Sequence, residues 1–273
     1  MNEPAESKAG SYDELYQEFD SPLMRRIRGE AYEEDIGQYS WVTAEELRHE
    51  ISRLSLSSAS RFLDLGCGPC GPLTFVIGRV GCHGTGVDVS ASAIAAGHAR
   101  AASLRLDRLI ALHQADLNEP LPFAGGTFDA VMSLDVILHL RDREAAFREV
   151  ARVLAPEGRF LFTDAGVITG PVSGAELQLR SAHGHTRFVP SGFNEEMLGL
   201  AGLGVIQRED RTASALKIAS GRLAARLAHR AELEPLEGGP RFERQRGYLE
   251  AVIGLSRRGA LSRMMYLAEP GAR

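Results

Sequence analysis

Cysteine is scarce in this chain. The three present among 273 residues, Cys67, Cys70 and Cys82, are too few and too clustered for a disulfide framework, which points to a reducing compartment. Cys67 and Cys70 have the C-x-x-C spacing of metal and redox sites, but no second pair or ligand-spaced histidine pair accompanies them. Structural thiols and no metal are therefore expected. A surplus of positive charge is also missing: the formal net charge of -5 argues against a nucleic-acid partner, which needs a basic face to displace counterions. No uncharged apolar run reaches the ~18 residues of a membrane span, and no basic and apolar leader opens the chain. A soluble, cytoplasmic protein with no membrane partner is expected, and no internal repeat divides it.

The charge is unevenly spread. Residues 207–273 hold 13 Arg or Lys against 8 Asp or Glu, a net of +5, so residues 1–206 carry -10. Two arginine-bearing helices with a solvated face account for the basic part, and a docking surface for an anionic partner is the alternative. A chain of this length buries about three quarters of its unfolded surface as one large domain. From Arg61 onward short apolar runs alternate with helical patterns, which is the signature of an α/β doubly wound parallel sheet. Strands are expected near 61–66, 84–88, 108–113, 128–134, 158–164, 203–209 and 261–268. Helices are expected near 71–80, 91–104, 142–155, 212–234 and 240–257, with Pro156-Glu157-Gly158 breaking the chain before the fifth strand. Such sheets bind ligands beyond the carboxyl ends of their strands.

The most informative segment is Leu63-Asp64-Leu65-Gly66-Cys67-Gly68-Pro69-Cys70-Gly71-Pro72, a carboxylate followed by a glycine-rich strand-to-helix turn. Gly66, Gly68 and Gly71 also satisfy the dinucleotide pattern G-x-G-x-x-G, with Asp88 where a ribose-binding acid belongs. Asp64 decides between ligands. A carboxylate beside a pyrophosphate costs roughly 3 kcal/mol at about 5 Å and an effective dielectric of about 20. The same carboxylate suits an ammonium. S-adenosylmethionine offers that ammonium, a ribose for Asp88 and no phosphate, so the segment reads as an adenosylmethionine site.

Downstream, Asp116-Leu117 follows the apolar run 109–112, and Thr127 to Asp135 follows a turn at Gly125-Gly126. This order resembles the class I adenosylmethionine-dependent methyltransferases over roughly 61–165. The resemblance implies a Rossmann-like seven-stranded sheet in a methyltransferase domain at 58–273. It also implies that Gly66, Cys67 and Gly68 hold the methionyl part, Asp88 the ribose hydroxyls and Asp116 the adenine amino group. Val89 and Leu117 would flank the adenine, with Leu134 near the methionyl amine. The third glycine of the family's loop is replaced by Cys70, although Gly71-Pro72 is similar to the variant in sarcosine, dimethylglycine and phosphoethanolamine methyltransferases.

Residues 1–10 are polar and expected to be a disordered tail. Residues 11–57 form an aromatic-rich helical arm, with six of the chain's 18 aromatics between Tyr12 and Trp41. These either pack the arm on the domain or form a lid that excludes water and faces a sulfonium. The resemblance to sarcosine-type enzymes points to Gln38 and Trp41 as lid contacts. Residues 166–200 form an insertion after the fifth strand, where the family commonly builds its acceptor pocket. The base candidates are His139 and Asp135, spaced i, i+4 on one face if the stretch is helical. His185, paired with His183 in the insertion, is a further candidate, with Arg187 available for an anionic acceptor. Asp164 either orients the pocket or caps a turn.

The base-modifying signature of Asn or Asp followed by Pro-Pro and an aromatic is absent after the fourth strand. A small-molecule acceptor is therefore the expected partner, as in secondary metabolism, with nitrogen or oxygen methylated ahead of carbon. A homodimer through the arm or the C-terminal helices stays open. The competing classes are an NAD-dependent oxidoreductase and a protein that binds adenosylmethionine without transferring its methyl.

Overall fold

The computed structural model describes residues 12, 13, 16, 18–181 and 186–271; the tail at 1–10 lies outside the described residues. Strand β1 (Arg61–Leu65) is buried along all but its first residue. A strand covered on both faces needs a continuous apolar run, and Phe62, Leu63 and Leu65 supply it around Asp64. Strands β2 (His83–Asp88) and β4 (Phe128–Leu134) pair with β1 in parallel. Strand β3 (Ile110–Gln114) extends the sheet beyond β2, and β5 (Leu154–Ile168) beyond β4. The last two long strands, β7 (Leu203–Asp210) and β8 (Leu261–Pro270), are antiparallel, giving the order β3-β2-β1-β4-β5-β8-β7. The order reverses between β1 and β4, which opens a crevice at the carboxyl ends of these strands.

Three expected boundaries differ. The fifth strand begins at Leu154 rather than 158, because the Pro156-Glu157-Gly158 segment forms an irregularity inside the strand instead of a break before it: Phe128 pairs with Leu154 and Ala130 with Arg159. An eighth strand, β6 (Val189–Pro190), joins β5 at Val167 and Ile168 and prolongs it to 168. The helix expected over 212–234 is two, α8 (Thr212–Ala228) and α9 (Arg230–Glu237), separated at His229. That imidazole lies 2.9 Å from Glu30 and 3.1 Å from Glu232.

Neighbouring residues in the strands feed opposite faces of the sheet. Phe62, Met132 and Leu161 pack with Leu47 of α2 (Ala44–Arg53) and with Leu73 and Ile77 of α3 (Gly71–Val80). Leu63, Val131, Phe160 and Phe162 pack with Phe147 of α5 (Arg143–Val153) and Leu198 of α7 (Phe193–Leu200). A further cluster joins the N-terminal arm to the C-terminal helices: Tyr32 and Trp41 meet Ile218 of α8 and Leu249 of α10 (Gly239–Arg257). Gly221 permits this closeness, since a Cβ there would overlap the backbone of Ala31 at the end of α1 (Pro22–Ala31). Among the described residues no helix is long and apolar enough to cross a membrane.

Candidate active site

The glycine loop leaves β1 in a conformation that side chains resist. Gly66 has φ +74°, and a Cβ there would overlap Val136. The Gly66 and Cys67 N–H groups donate to the Val87 carbonyl at 2.8 and 3.0 Å, which binds the loop to β2. Gly68 has φ +52° and donates from its N–H to Asp88 Oδ2 at 2.9 Å. At the position where the family has glycine, Cys70 takes φ +62°. Cβ–carbonyl crowding there costs about 1–2 kcal/mol.

The loop survives that cost because the thiols fill glycine-sized space. Cys67 Sγ lies 2.8 Å from where a Cβ on Gly86 would sit, and Cys70 Sγ 2.5 Å from where one on Gly97 of α4 (Ala91–Ser103) would, so a side chain at either glycine would overlap a sulfur. The two sulfurs are 3.7 Å apart and buried. Their mutual hydrogen bond, followed by burial, raises the Cys67 thiol well above its ordinary value. A protonated, buried thiol is a packing group rather than a nucleophile. Among the described residues no group of three metal-ligating side chains converges.

A cavity of about 1280 Å³, including its open mouth, lies beyond the strand ends. Asp64, Asp88 and Asp116 reach it from β1, β2 and the turn after β3, with Val89, Leu117 and Leu134 alongside. Asp64 is 2% exposed. Its Oδ2 has no hydrogen-bond partner. Burial, reinforced by the Asp88 charge, pushes its carboxyl up to about 8. Asp88 is also raised by burial, though backbone N–H groups of Ser90 and Gly68 draw it back. Asp116 accepts from the Asn118 backbone N–H at 2.9 Å and from its amide at 2.6 Å.

The residues present fit S-adenosylmethionine on these grounds. A buried carboxylate oxygen lacking a donor matches an ammonium, and acids on three successive strand ends match the rest of a cationic nucleoside. Gln38, expected to contact the cofactor, does not line the cavity. Its carbonyl accepts from the Ile36 N–H at 2.8 Å and its amide donates to the carbonyls of Glu34 and Val42. It is spent on shaping its own loop, and its neighbours Gly37, Tyr39 and Trp41 line the cavity instead.

The base candidates separate. Asp135 and His139 both line the cavity, but they do not share a helical face. Asp135 has φ +59°, and only Ile137–His139 form a short 3-10 turn. Asp135 Oδ2 accepts from the Trp41 N–H at 2.8 Å, and Oδ1 from Thr163 at 2.9 Å and Arg263 Nε at 2.8 Å. A carboxylate so engaged is a positioning group, which corrects its expected role as base. His139 sits edge-on to Tyr12, with ring centroids 5.9 Å apart. His183 and His185 lie outside the described residues. Arg187 does not line the cavity: it donates to the Arg141 carbonyl at 3.0 Å and lies over Phe193. Asp164 is buried away from the cavity with Arg143 and Asn194.

Sequence reasoning missed three cavity residues that the later helices contribute, Arg180, Arg222 and Tyr248. Arg180 ends α6 (Gly174–Arg180), whereas Arg222 lies on α8 and Tyr248 on α10. One signal was available for Arg222: no acid stands three or four residues from it, unlike Arg230 with Glu234 or Arg246 with Glu243 and Glu250.

The fold and the glycine loop together define a class I methyltransferase scaffold. Residues 63–162 match the family model described as Methyltransferase domain. Over that segment the chain is similar to a methyltransferase domain, and the dinucleotide reading of the glycine pattern is set aside. Methyltransferase GfsG of Streptomyces halstedii is 32% identical over 41% of this chain and 40% of its own length. The glycine/sarcosine/dimethylglycine N-methyltransferase of Actinopolyspora halophila is 33% identical over 48% of this chain and 23% of its own. The chain thus spans less than half the length of either relative. The crystal structure of the [4+2]-cyclase SpnF has the same fold, with a TM-score of 0.73 and 23% identity over 96% of this chain and 97% of that one.

Proposed function

We propose that the protein transfers a methyl group from S-adenosylmethionine to a nitrogen or oxygen of a small-molecule metabolite by direct displacement. The observation that carries this reading is the buried, unpartnered Oδ2 of Asp64 beside the glycine loop. The fold alone does not decide, since one scaffold hosts many reactions. When bound, the cofactor supplies a methyl already activated on a sulfonium, so alignment is the main requirement.

Asp64 holds the methionyl ammonium, and the backbone of Gly66, Cys67 and Gly68 the rest of that end. Asp88 accepts from the ribose hydroxyls while keeping Gly68 in place. Asp116 accepts from the adenine amino group, between Val89 and Leu117. Trp41 and Tyr12, carried by the arm, close the cavity against water as a lid, and the segment after β5 contributes the acceptor pocket. Burial raises the phenols of Tyr12 and Tyr248 above their ordinary values, so both keep their protons and neither is present as a phenolate base. His139 is then the base available to a hydroxyl acceptor; an amine acceptor, once neutral, attacks unaided.

Calorimetric titration with S-adenosylhomocysteine and with NADH, followed by incubation with methyl-labelled S-adenosylmethionine and a small-molecule cell extract, tests the reading. Binding of adenosylhomocysteine and label on nitrogen or oxygen of a low-mass product is expected. Binding of NADH alone would sink it, label on carbon would move the acceptor atom, and tight binding without transfer would leave a cofactor-binding protein.

A further inference from the structure

Carboxylates from β1, β2 and the turn after β3 line one side of the cavity, while two guanidiniums, Arg180 and Arg222, reach it from helices α6 and α8. Arg180 is 4% exposed. It donates to Tyr248 Oη at 2.9 Å and to the Ala165 carbonyl at 3.4 Å, neither of them charged. Two acceptors do not exhaust a guanidinium's donors. Among the described residues neither Arg180 nor Arg222 forms a salt bridge, whereas the buried Arg143, Arg226 and Arg263 all do.

Aromatic faces hold the pair in place. Arg180 lies 5.8 Å from the Trp41 ring centroid and 5.1 Å from that of Tyr248; Arg222 lies 5.1 Å from Trp41 and 4.5 Å from Tyr39. Both cations therefore face one indole, and the main chain at Trp41 is itself fixed through its backbone N–H on Asp135. Cation–π contact offsets part of the cost of a desolvated charge, but a buried cation without an anion is stable only where something else completes it. Bringing two like charges to one ring adds repulsion that a shared anion would remove.

We infer that Arg180 and Arg222 bind an oxyanion of the acceptor, a carboxylate or a phosphate monoester, and so select anionic metabolites. This rests on the methyltransferase reading above and narrows its substrate class. A planar guanidinium pairs with either oxyanion through two parallel hydrogen bonds. The cavity's polarity suits the two ligands jointly: acids face a cationic cofactor, and arginines face an anionic acceptor. A purely cationic amine would meet uncompensated repulsion from both arginines.

The test divides a small-molecule extract on a strong anion exchanger at about pH 11, where amines are neutral while carboxylates and phosphates keep their charge, and offers each fraction, returned to neutral pH, to the enzyme with methyl-labelled S-adenosylmethionine. Labelled product is expected only from the retained fraction. Label from the flow-through alone would overturn the inference, and label from neither fraction would be the failure of the methyltransferase reading and of the inference with it. Phosphatase treatment of the retained fraction separates the sources: loss of the acceptor identifies a phosphate, persistence a carboxylate.

With the acceptor in hand, Arg180→Gln and Arg222→Gln are each expected to lower kcat/KM for it by about thirty-fold or more, mainly through KM. Adenosylhomocysteine affinity should fall much less than that for the acceptor, because Asp64, Asp88 and the glycine loop are untouched. An unchanged acceptor KM in both variants would overturn the assignment. If a variant fails to fold, competition by inorganic phosphate against the acceptor in the wild-type enzyme provides the readout: inhibition competitive with the acceptor supports the anion site, and its absence up to high concentration opposes it.

Discussion

Asp64 presents one buried carboxylate oxygen without a partner, and burial with the Asp88 charge pushes its carboxyl up to about 8. An ammonium needs the ionised form, so cofactor binding at neutral pH expels a proton. Close to one proton per site is expected to be released at pH 7, falling toward none above about pH 9, measured by calorimetry in buffers of different ionisation enthalpy. Adenosylhomocysteine affinity should weaken about ten-fold for each pH unit below 8 and become flat in Asp64→Asn, at a much lower level. A pH-independent wild-type affinity would remove Asp64 from the ammonium. The stability sign follows from the same shift. A raised acid binds its proton more tightly folded than unfolded, so this contribution is complete below the unfolded value near 4 and is lost as pH rises through 8. Asp64→Asn should therefore melt higher than the ligand-free wild type at pH 8 to 9. His139 poses the second residue-scale question. In His139→Ala a hydroxyl acceptor should slow by about 10²-fold or more, the ordinary loss for a positioned base, and an amine acceptor far less. Equal, modest losses would leave His139 as a packing partner of Tyr12.

At the scale of elements, Arg263 on β8 ties three separate segments to the site. Its Nε meets Asp135 in the turn after β4 at 2.8 Å, Nη1 meets Glu46 on α2 at 2.7 Å, and Nη2 meets Thr163 on β5 at 3.1 Å. Asp135 in turn accepts the Trp41 backbone N–H, so the strand fixes the arm's main chain at Trp41 through one carboxylate. Removing the cation leaves Asp135 and Glu46 buried without it, a change that costs about 3–5 kcal/mol in buried pairs. Arg263→Met should lose stability on that scale in urea unfolding. Trp41, the chain's single tryptophan, should shift its emission to the red as it gains water. Adding Asp135→Asn should recover part of the stability but not the Trp41 environment. Full wild-type emission in the single variant would show that the indole is held by Tyr248 and α8 alone. The same logic explains Asp135's left-handed backbone: surroundings that supply three hydrogen bonds to one carboxylate can hold a conformation that costs about 1–3 kcal/mol.

For the molecule as a whole, what was legible depended on whether its cause was local. The strands near 61, 84, 128, 203 and 261 began within a residue of expectation, because apolar runs flanked by glycine or polar turns encode them directly. The acids Asp64, Asp88 and Asp116 were legible because each ends a strand or opens the turn after one. Asp135's engagement was not, since its partner Arg263 lies 128 positions away. Nor was the convergence of Arg180, Arg222 and Tyr248, which come from three helices that only the folded arm brings around Trp41. That arm has two unequal parts. Tyr32 and Trp41 are built into a core with α8 and α10, whereas among the described residues of the earlier segment Tyr12 meets His139 edge-on, Tyr16 meets Tyr39 within the arm itself, and Asp13 accepts from Ser90 Oγ and from the Ser92 N–H at 3.1 Å. If the earlier part is the closing element of the lid, a chain lacking residues 1–17 should still unfold cooperatively, since Tyr32 and Trp41 keep the rest of the arm in the core. The same deletion should weaken adenosylhomocysteine binding by about ten-fold or more and let the cofactor dissociate faster, because a lid acts chiefly on escape. Stopped-flow displacement of adenosylhomocysteine measures that rate. An unchanged dissociation rate in a stably folded deletion would show that Trp41 and its anchored neighbours enclose the cofactor unaided, and that the first turn of the arm serves packing only.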